Sequence, residues 1–171
     1  MLKVTTVFVS VGFALTLAVA AFAHGGATGL VKERMDGMVA IAKSMKELVG
    51  MSKAGSVDGP KAASLAKDIQ SHSGDAMLER FPAGPVPMVS EASPAIWDDW
   101  AEFEALAHRL GTLAEGLALS AMGVGQKTGL TFGPADPLPP MDVLATTDFD
   151  DLLKATTQTC SSCHEAFRIK K

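Results

Sequence analysis

Apolar side chains recur along the first third of the chain as Val31, Met35, Met38, Ala42, Met45 and Val49, at alternating spacings of four and three. This is the stripe of a helix packed in a bundle. "GSVDGP" ends the segment, and Pro60 suits the first turn of a second helix in which Ala62, Leu65, Ile69, His72 and Ala76 keep the rhythm. That helix stops by "RFPAGPVPM", whose prolines cannot sustain it. Ser93 and Pro94 read as the cap and first position of a long third helix through "WDDWAEFEALAHRLGTLAEGLALSAM". Its buried stripe is Phe103, Leu106, Leu110, Leu113 and Leu117, with Trp97 and Trp100 as packing anchors. Gly123 to Thr147 is long for a structureless connection, so it is expected to pack along the bundle. Thr147 or Asp148 then caps a last helix, where Asp150 and Asp151 favour the positive end of the dipole. The pattern predicts an all-α fold, an antiparallel up-down-up-down four-helix bundle able to house a cofactor between facing helices.

The N-terminal "MLKVTTVFVSVGFALTLAVAAFA" breaks this pattern. It has one early positive charge, Lys3, then an apolar core, then Ala21 and Ala23 framing an A-x-A cleavage site before His24. Residues 1–23 are therefore expected to be a signal peptide and residues 24–171 the mature domain, exported to the periplasm. The run from Val4 to Ala23 approaches the length that spans a bilayer, so an uncleaved leader would instead anchor the chain in the membrane. Cleavage leaves about 148 residues, one domain with enough chain for a real core. Losing Lys3 reduces the basic residues from 15 to 14 against 19 acidic ones and takes the formal charge from −4 to −5. That balance argues against nucleic acid as a partner.

Both cysteines of the 171 residues lie in "QTCSSCHEAFRIKK". Two cysteines three positions apart, followed at once by histidine, form an attachment site for c-type haem. On a helix, Cys160 and Cys163 lie about one turn apart on one side, so both thiols can add to the vinyl groups on one porphyrin edge. His164 then supplies an imidazole to the iron. The alternatives fit less well. A redox dithiol usually follows a strand and sits at a helix N-terminus, and no strand pattern lies upstream. Zinc needs two further ligands of suitable spacing, and a disulfide across this spacing on a helix is strained. Only seven residues follow His164 here, so a sixth iron ligand is expected from an earlier helix. Met, His and Lys are the candidates.

"VKERMDGM", "IWDDWAEFEALA" and "CSSCHEAFRIKK" together resemble class II cytochromes c, the cytochrome c′ group, and within it the low-spin, methionine-ligated branch. The resemblance implies that the residue four after a first-helix arginine faces the distal side of the iron. Here Arg34 selects Met38, with Met35 as the first alternative. Family members with leucine or phenylalanine at that position typically hold five-coordinate iron that binds small gases. The same resemblance places Arg34 and Arg168 near the haem, and it allows a homodimer formed through two helices, although no exposed apolar face is legible in the sequence.

Against the site readings stand ordinary structural ones. A methionine stripe is more often flexible core filling than metal ligation. His72 falls on the second helix's stripe and reads as a core or haem-proximal side chain. His108 falls off its stripe and reads as solvated. His24, as a new N-terminus, could take up adventitious copper, and Lys170 and Lys171 form a solvated helix end. The expected function is electron transfer by one covalent haem c in the periplasm, ligated by His164 and Met38, with redox proteins of an electron-transport chain as partners. No acid/base pair or nucleophile arrangement suggests an enzyme. A gas-binding haem protein is the second reading, and a haem-free thiol–disulfide protein the third.

Overall fold

The apolar rhythm of the first third folds as helix α1, Gly29–Lys53. The structure, a computed structural model, describes residues 27–84, 90–123 and 127–169. The expected leader, its cleavage site at His24, and Lys170 and Lys171 lie outside them. Along α1 Val31 is buried as the sequence stripe has it, but from there on the buried row is Gly37, Ile41, Ser44 and Leu48, one position off the predicted Met38, Ala42, Met45 and Val49. Small residues take two of those places because α2 (Gly59–Ser71) comes close. A Cβ on Gly37 would meet His72 Cδ2 at 3.3 Å, and Ser44 Oγ donates to Asp68 Oδ2 at 2.7 Å. Met38, Met45 and Val49 lie one position round, half-buried against the core edge.

Helix α2 starts as its sequence requires: Pro60 is in the first turn, and the Asp58 carboxylate accepts from the Lys61 amide at 3.1 Å. It ends earlier than the stripe suggested. Ser73 Oγ bonds the Ile69 carbonyl at 2.6 Å. Gly74 adopts φ +55°, a left-handed conformation that glycine tolerates, and its amide donates to the Ala107 carbonyl at 3.0 Å. A short α3, Asp75–Leu78, follows.

The third predicted helix is likewise two. Ser93 Oγ accepts from the Ala95 amide at 3.2 Å, but the cap serves only α4, Ala95–Asp98. Asp99 leaves the helical region at φ −132° and its carboxylate accepts from the Glu102 amide, starting α5, Trp100–Ala121. The predicted stripe from Phe103 to Leu117 is buried throughout. The Phe103 ring lies 4.8 Å from Phe81 and 5.5 Å from Phe167, edge-on arrangements that suit the ring quadrupole. Trp100 packs beside Phe103, and Trp97 Nε1 donates to the Phe81 carbonyl at 3.3 Å.

The connection packs along the bundle, as expected, and contains α6, Met141–Thr146. Phe132, Leu138 and Met141 rest on the core. Arg109 of α5 holds the segment from beneath, donating to the carbonyls of Gly133 (2.7 Å) and Asp136 and to Thr159 Oγ1 at 3.3 Å. Helix α7, Phe149–Phe167, starts after Asp148, whose side chain makes no capping bond. Asp151 accepts from the Leu130 amide at 3.1 Å, so it serves the connection as well as the helix dipole.

The four long helices α1, α2, α5 and α7 form the antiparallel bundle. α5 packs most fully against α2 and α7, α1 leans on α2, and the neighbours α1 and α7 touch only slightly. No helix among the described residues is long and apolar enough to cross a membrane.

Candidate functional site

Between α1 and α7, where the helices scarcely touch, lies a cavity of about 560 Å³. Its α1 wall is the row offset by one from the core: Met38, Ala42, Met45 and Val49, with Ile41 beside them. Leu106, Ala107 and Leu110 of α5 form its floor, and Met77 of α3 closes one side. From α7 come Thr157, Thr159, Cys160, Ser161, Cys163 and His164. Neither cysteine is in a disulfide, and both are half-buried. The sequence therefore read the right faces of α5 and α7 but took the cavity wall of α1 for core. Met77 went unnoticed because it follows the break at Gly74, a break that "HSGDA" could have signalled through its Ser and Gly.

The electrostatics suit neutral groups. Burial pushes the Cys160 thiol up, and burial, reinforced by Cys160 and Glu102, raises Cys163 to about 11. A reactive redox dithiol usually has the opposite shift, which weighs against the thiol–disulfide reading. Burial, helped by the Arg168 charge and opposed by Glu91, lowers the His164 pKa and favours the neutral imidazole that binds metals. Arg168 itself is engaged by Glu91, with Nε to Oε2 at 3.0 Å, and does not line the cavity.

Arg34, one turn before Met38, lies 4.7 Å over the Phe81 ring. Its Nε is buried without a hydrogen-bond partner among the described residues, and desolvation lowers its pKa. A buried donor left unpaired costs about 1–3 kcal/mol, so a partner group placed here would be stabilising. Met35 is half-buried and is not among the lining side chains. His72 Nδ1 donates to the Asp68 carbonyl (2.8 Å), and His108 lies half-exposed, 3.5 Å from Asp75. Neither lines the cavity. The volume falls within the roughly 300–1,000 Å³ of cofactor pockets. With apolar walls, two thiols and an imidazole on one helix, the residues fit a covalent haem.

The sequence pattern of the family described as "Cytochrome C'" matches residues 29–131. The chain belongs to the cytochrome c′ family. The match ends before "CSSCH", so the family and the haem motif are separate observations that agree. Cytochrome c-556 of Agrobacterium fabrum (strain C58 / ATCC 33970) is 28% identical over 145 residues, spanning 85% of this chain and 84% of that protein. Cytochrome c-556 of Agrobacterium tumefaciens (strain B2A) is 28% identical over 143 residues, covering 84% and 99%.

Among solved structures, cytochrome c′ from Thermochromatium tepidum superposes with a TM-score of 0.62 at 16% identity, over 82% of this chain and 95% of that one. A nitric oxide complex of a variant cytochrome c prime from Alcaligenes xylosoxidans gives 0.59 at 18%, over 83% and 94%. At these identities the likeness speaks for the fold. As a cytochrome c′ family member, the chain carries haem c, an iron porphyrin held covalently.

Proposed function

We propose that this chain is an exported electron carrier of the low-spin branch, its haem linked through Cys160 and Cys163 and its iron ligated by His164 and Met38. The observation that carries the reading is the position of Met38. Of the first-helix methionines, Met38 and Met45 share the cavity wall with His164 and both cysteines while Met35 does not, and the family resemblance selects Met38 between them.

When bound, the haem supplies one-electron exchange between ferrous and ferric iron. The chain's own groups set how easily that happens. Cys160 and Cys163 fix the ring edge to α7, and the neutral His164 imidazole is available to metal. The Met38 thioether favours the ferrous form and raises the potential relative to a bis-histidine site. Ile41, Leu106 and Leu110 keep water and its high dielectric away, which disfavours the extra positive charge of ferric iron. Arg34, which is not among the side chains lining the cavity, would have its unpaired Nε available to an acceptor on a bound cofactor. Under this reading residues 1–23 are removed on export to the periplasm, residues 24–171 form the domain, and redox proteins of an electron-transport chain are the partners. A homodimer through two helices is compatible with the family.

Absorption spectra of both oxidation states test the assignment, since they report spin and coordination. Low-spin spectra that Met38→Leu converts to high-spin support it. A gas-binding role is the second reading, favoured by the solved relative in complex with nitric oxide. Iron that is already high-spin in the unmodified protein, with avid carbon monoxide binding, would replace the first reading with the second.

A further inference from the structure

The cavity's charged lining is one-sided. Lys46 and Lys53 of α1 line it, and no carboxylate does. Both lysines are exposed, and neither has an ion pair or hydrogen bond among the described residues. Gly50 lies between them on the same helix face, and a Cβ there would meet nothing within 4 Å, so the lip is open between the two ammonium groups. Opposite, α7 presents the exposed Thr157 and Ser161, and one turn earlier on the same face the exposed Lys154. Of the other lysines on α1 and α2, Lys32 pairs with Asp36 and Lys61 with Glu47 at 2.9 Å, while the exposed Lys43 and Lys67 lie away from the cavity lining. The acidic residues of the helix α4–α5 turn, Asp98, Asp99, Glu102 and Glu104, are also exposed. A chain of formal charge −4 therefore leaves unneutralised cations along the edge of its cofactor cavity.

The geometry points to this lip, Lys46, Lys53 and Lys154 around the α1–α7 opening, as the docking surface for an acidic face of a redox partner protein. The inference rests on the electron-carrier reading above. Its physical basis is local: exposed like charges steer an oppositely charged partner at encounter even when the net charge of the molecule repels it, and the effect falls with salt. Electrons would enter and leave on this side because the cavity opens here.

Two measurements on the haem-loaded protein test it. First, 15N-labelled protein is titrated with poly-L-glutamate at low ionic strength. Shifts should concentrate in residues 43–53 and 154–161, and should vanish at high salt and in the triple variant Lys46→Gln, Lys53→Gln, Lys154→Gln. A control, Lys67→Gln on α2, should behave as the unmodified protein. Shifts spread evenly or centred elsewhere overturn the proposal.

Second, electron exchange is followed with an anionic probe, hexacyanoferrate, and a cationic one, hexaammineruthenium. With the anion the rate should fall as salt rises, and the triple variant should lose about tenfold at low salt. A rate that rises with salt, as the net charge alone dictates, overturns the proposal. So does an altered haem spectrum in the triple variant, which would assign the lysines to the cofactor. Failure of both probes to exchange electrons with the loaded protein would instead sink the carrier reading, while the titration would still decide where acidic chains bind.

Discussion

The α2–α5 seam and the α1–α7 seam are built from the same kind of helix and solve different problems. At the first, Ala62, Ala66, Ile69, Leu113 and Leu117 are fully buried, and side chain meets side chain. At the second, Met38, Met45, Val49, Cys160 and Cys163 are only half-buried and face a cavity. One seam is closed by protein alone. The other holds its helices apart at a distance suited to a cofactor. Substitutions in the first should therefore change stability and leave the iron alone, and substitutions in the second should do the reverse.

The largest expected effect breaks the second seam outright. Replacing Cys160 and Cys163 together by alanine should abolish stable haem incorporation; acid–acetone extraction should strip the variant and leave the unmodified protein's haem in place. Retention of extraction-resistant haem in the variant would refute attachment at these thiols. Next, Met38→Leu should keep the covalent haem and cost less than about 1.5 kcal/mol, because volume is nearly conserved. It should nonetheless convert the iron to a high-spin form that binds carbon monoxide, with a lower potential. If Met35→Leu does this and Met38→Leu does not, the ligand lies one turn earlier.

At the closed seam, Leu113→Ala should destabilise the fold by about 2–5 kcal/mol through lost burial and a residual cavity. Its absorption spectrum should match that of the unmodified protein, and a changed spin state would show that the seams are not separable. A smaller effect is expected at Arg109→Gln, which removes a cation donating to two carbonyls and a hydroxyl. The loss should be about 1.5–3 kcal/mol per charged bond set at most, read as faster limited proteolysis within residues 128–140. Unchanged cleavage there would mean the apolar contacts alone hold the connection.

Smallest is a pH effect in the haem-free chain. Since folding raises the Cys163 pKa to about 11, the folded form keeps that proton where the unfolded form loses it. The stabilisation is complete below the unfolded value and is lost as pH rises through the folded one. Iodoacetamide should therefore spare Cys163 at pH 8 and modify it only in strong alkali. Rapid alkylation at pH 8 would revive the dithiol reading.

The contrast between seams also explains what the sequence disclosed. Phe103 to Leu117 reads correctly because α5 sits at the centre, packed against both neighbours, and every apolar position on its stripe is buried. On α1 the same periodicity holds at Val31 and misleads by one position from Met38 onward. A row facing a cavity and a row facing a helix are equally apolar, and the true core row contains Gly37 and Ser44, which no hydrophobicity pattern selects. Their burial follows from the close approach of α2, a tertiary fact. The breaks at Gly74 and Asp99 were missed for a related reason. Each is made by a local side-chain or long-range backbone bond, Ser73 to Ile69 and Gly74 to Ala107 in one case and Asp99 to Glu102 in the other, that competes with helix continuation. The haem motif was legible because its chemistry fixes the spacing within a single helix. Arg109 was not, since its partners lie in a connection whose path the periodicity leaves open.

The cavity wall is shared by the first and last long helices, whose facing residues Met38 and His164 are separated by nearly the whole folded chain. Should one iron join them, the protein gains a cross-link enclosing about 126 residues, comparable in its effect on the unfolded ensemble to a long-range disulfide worth about 4.7 kcal/mol per hundred-residue loop. Such a link is reversible, unlike the thioethers. A ligand strong enough to take the place of Met38 would then reopen the loop and release α1 from α7, so chemistry at the iron would be felt as a change in how tightly the bundle is tied.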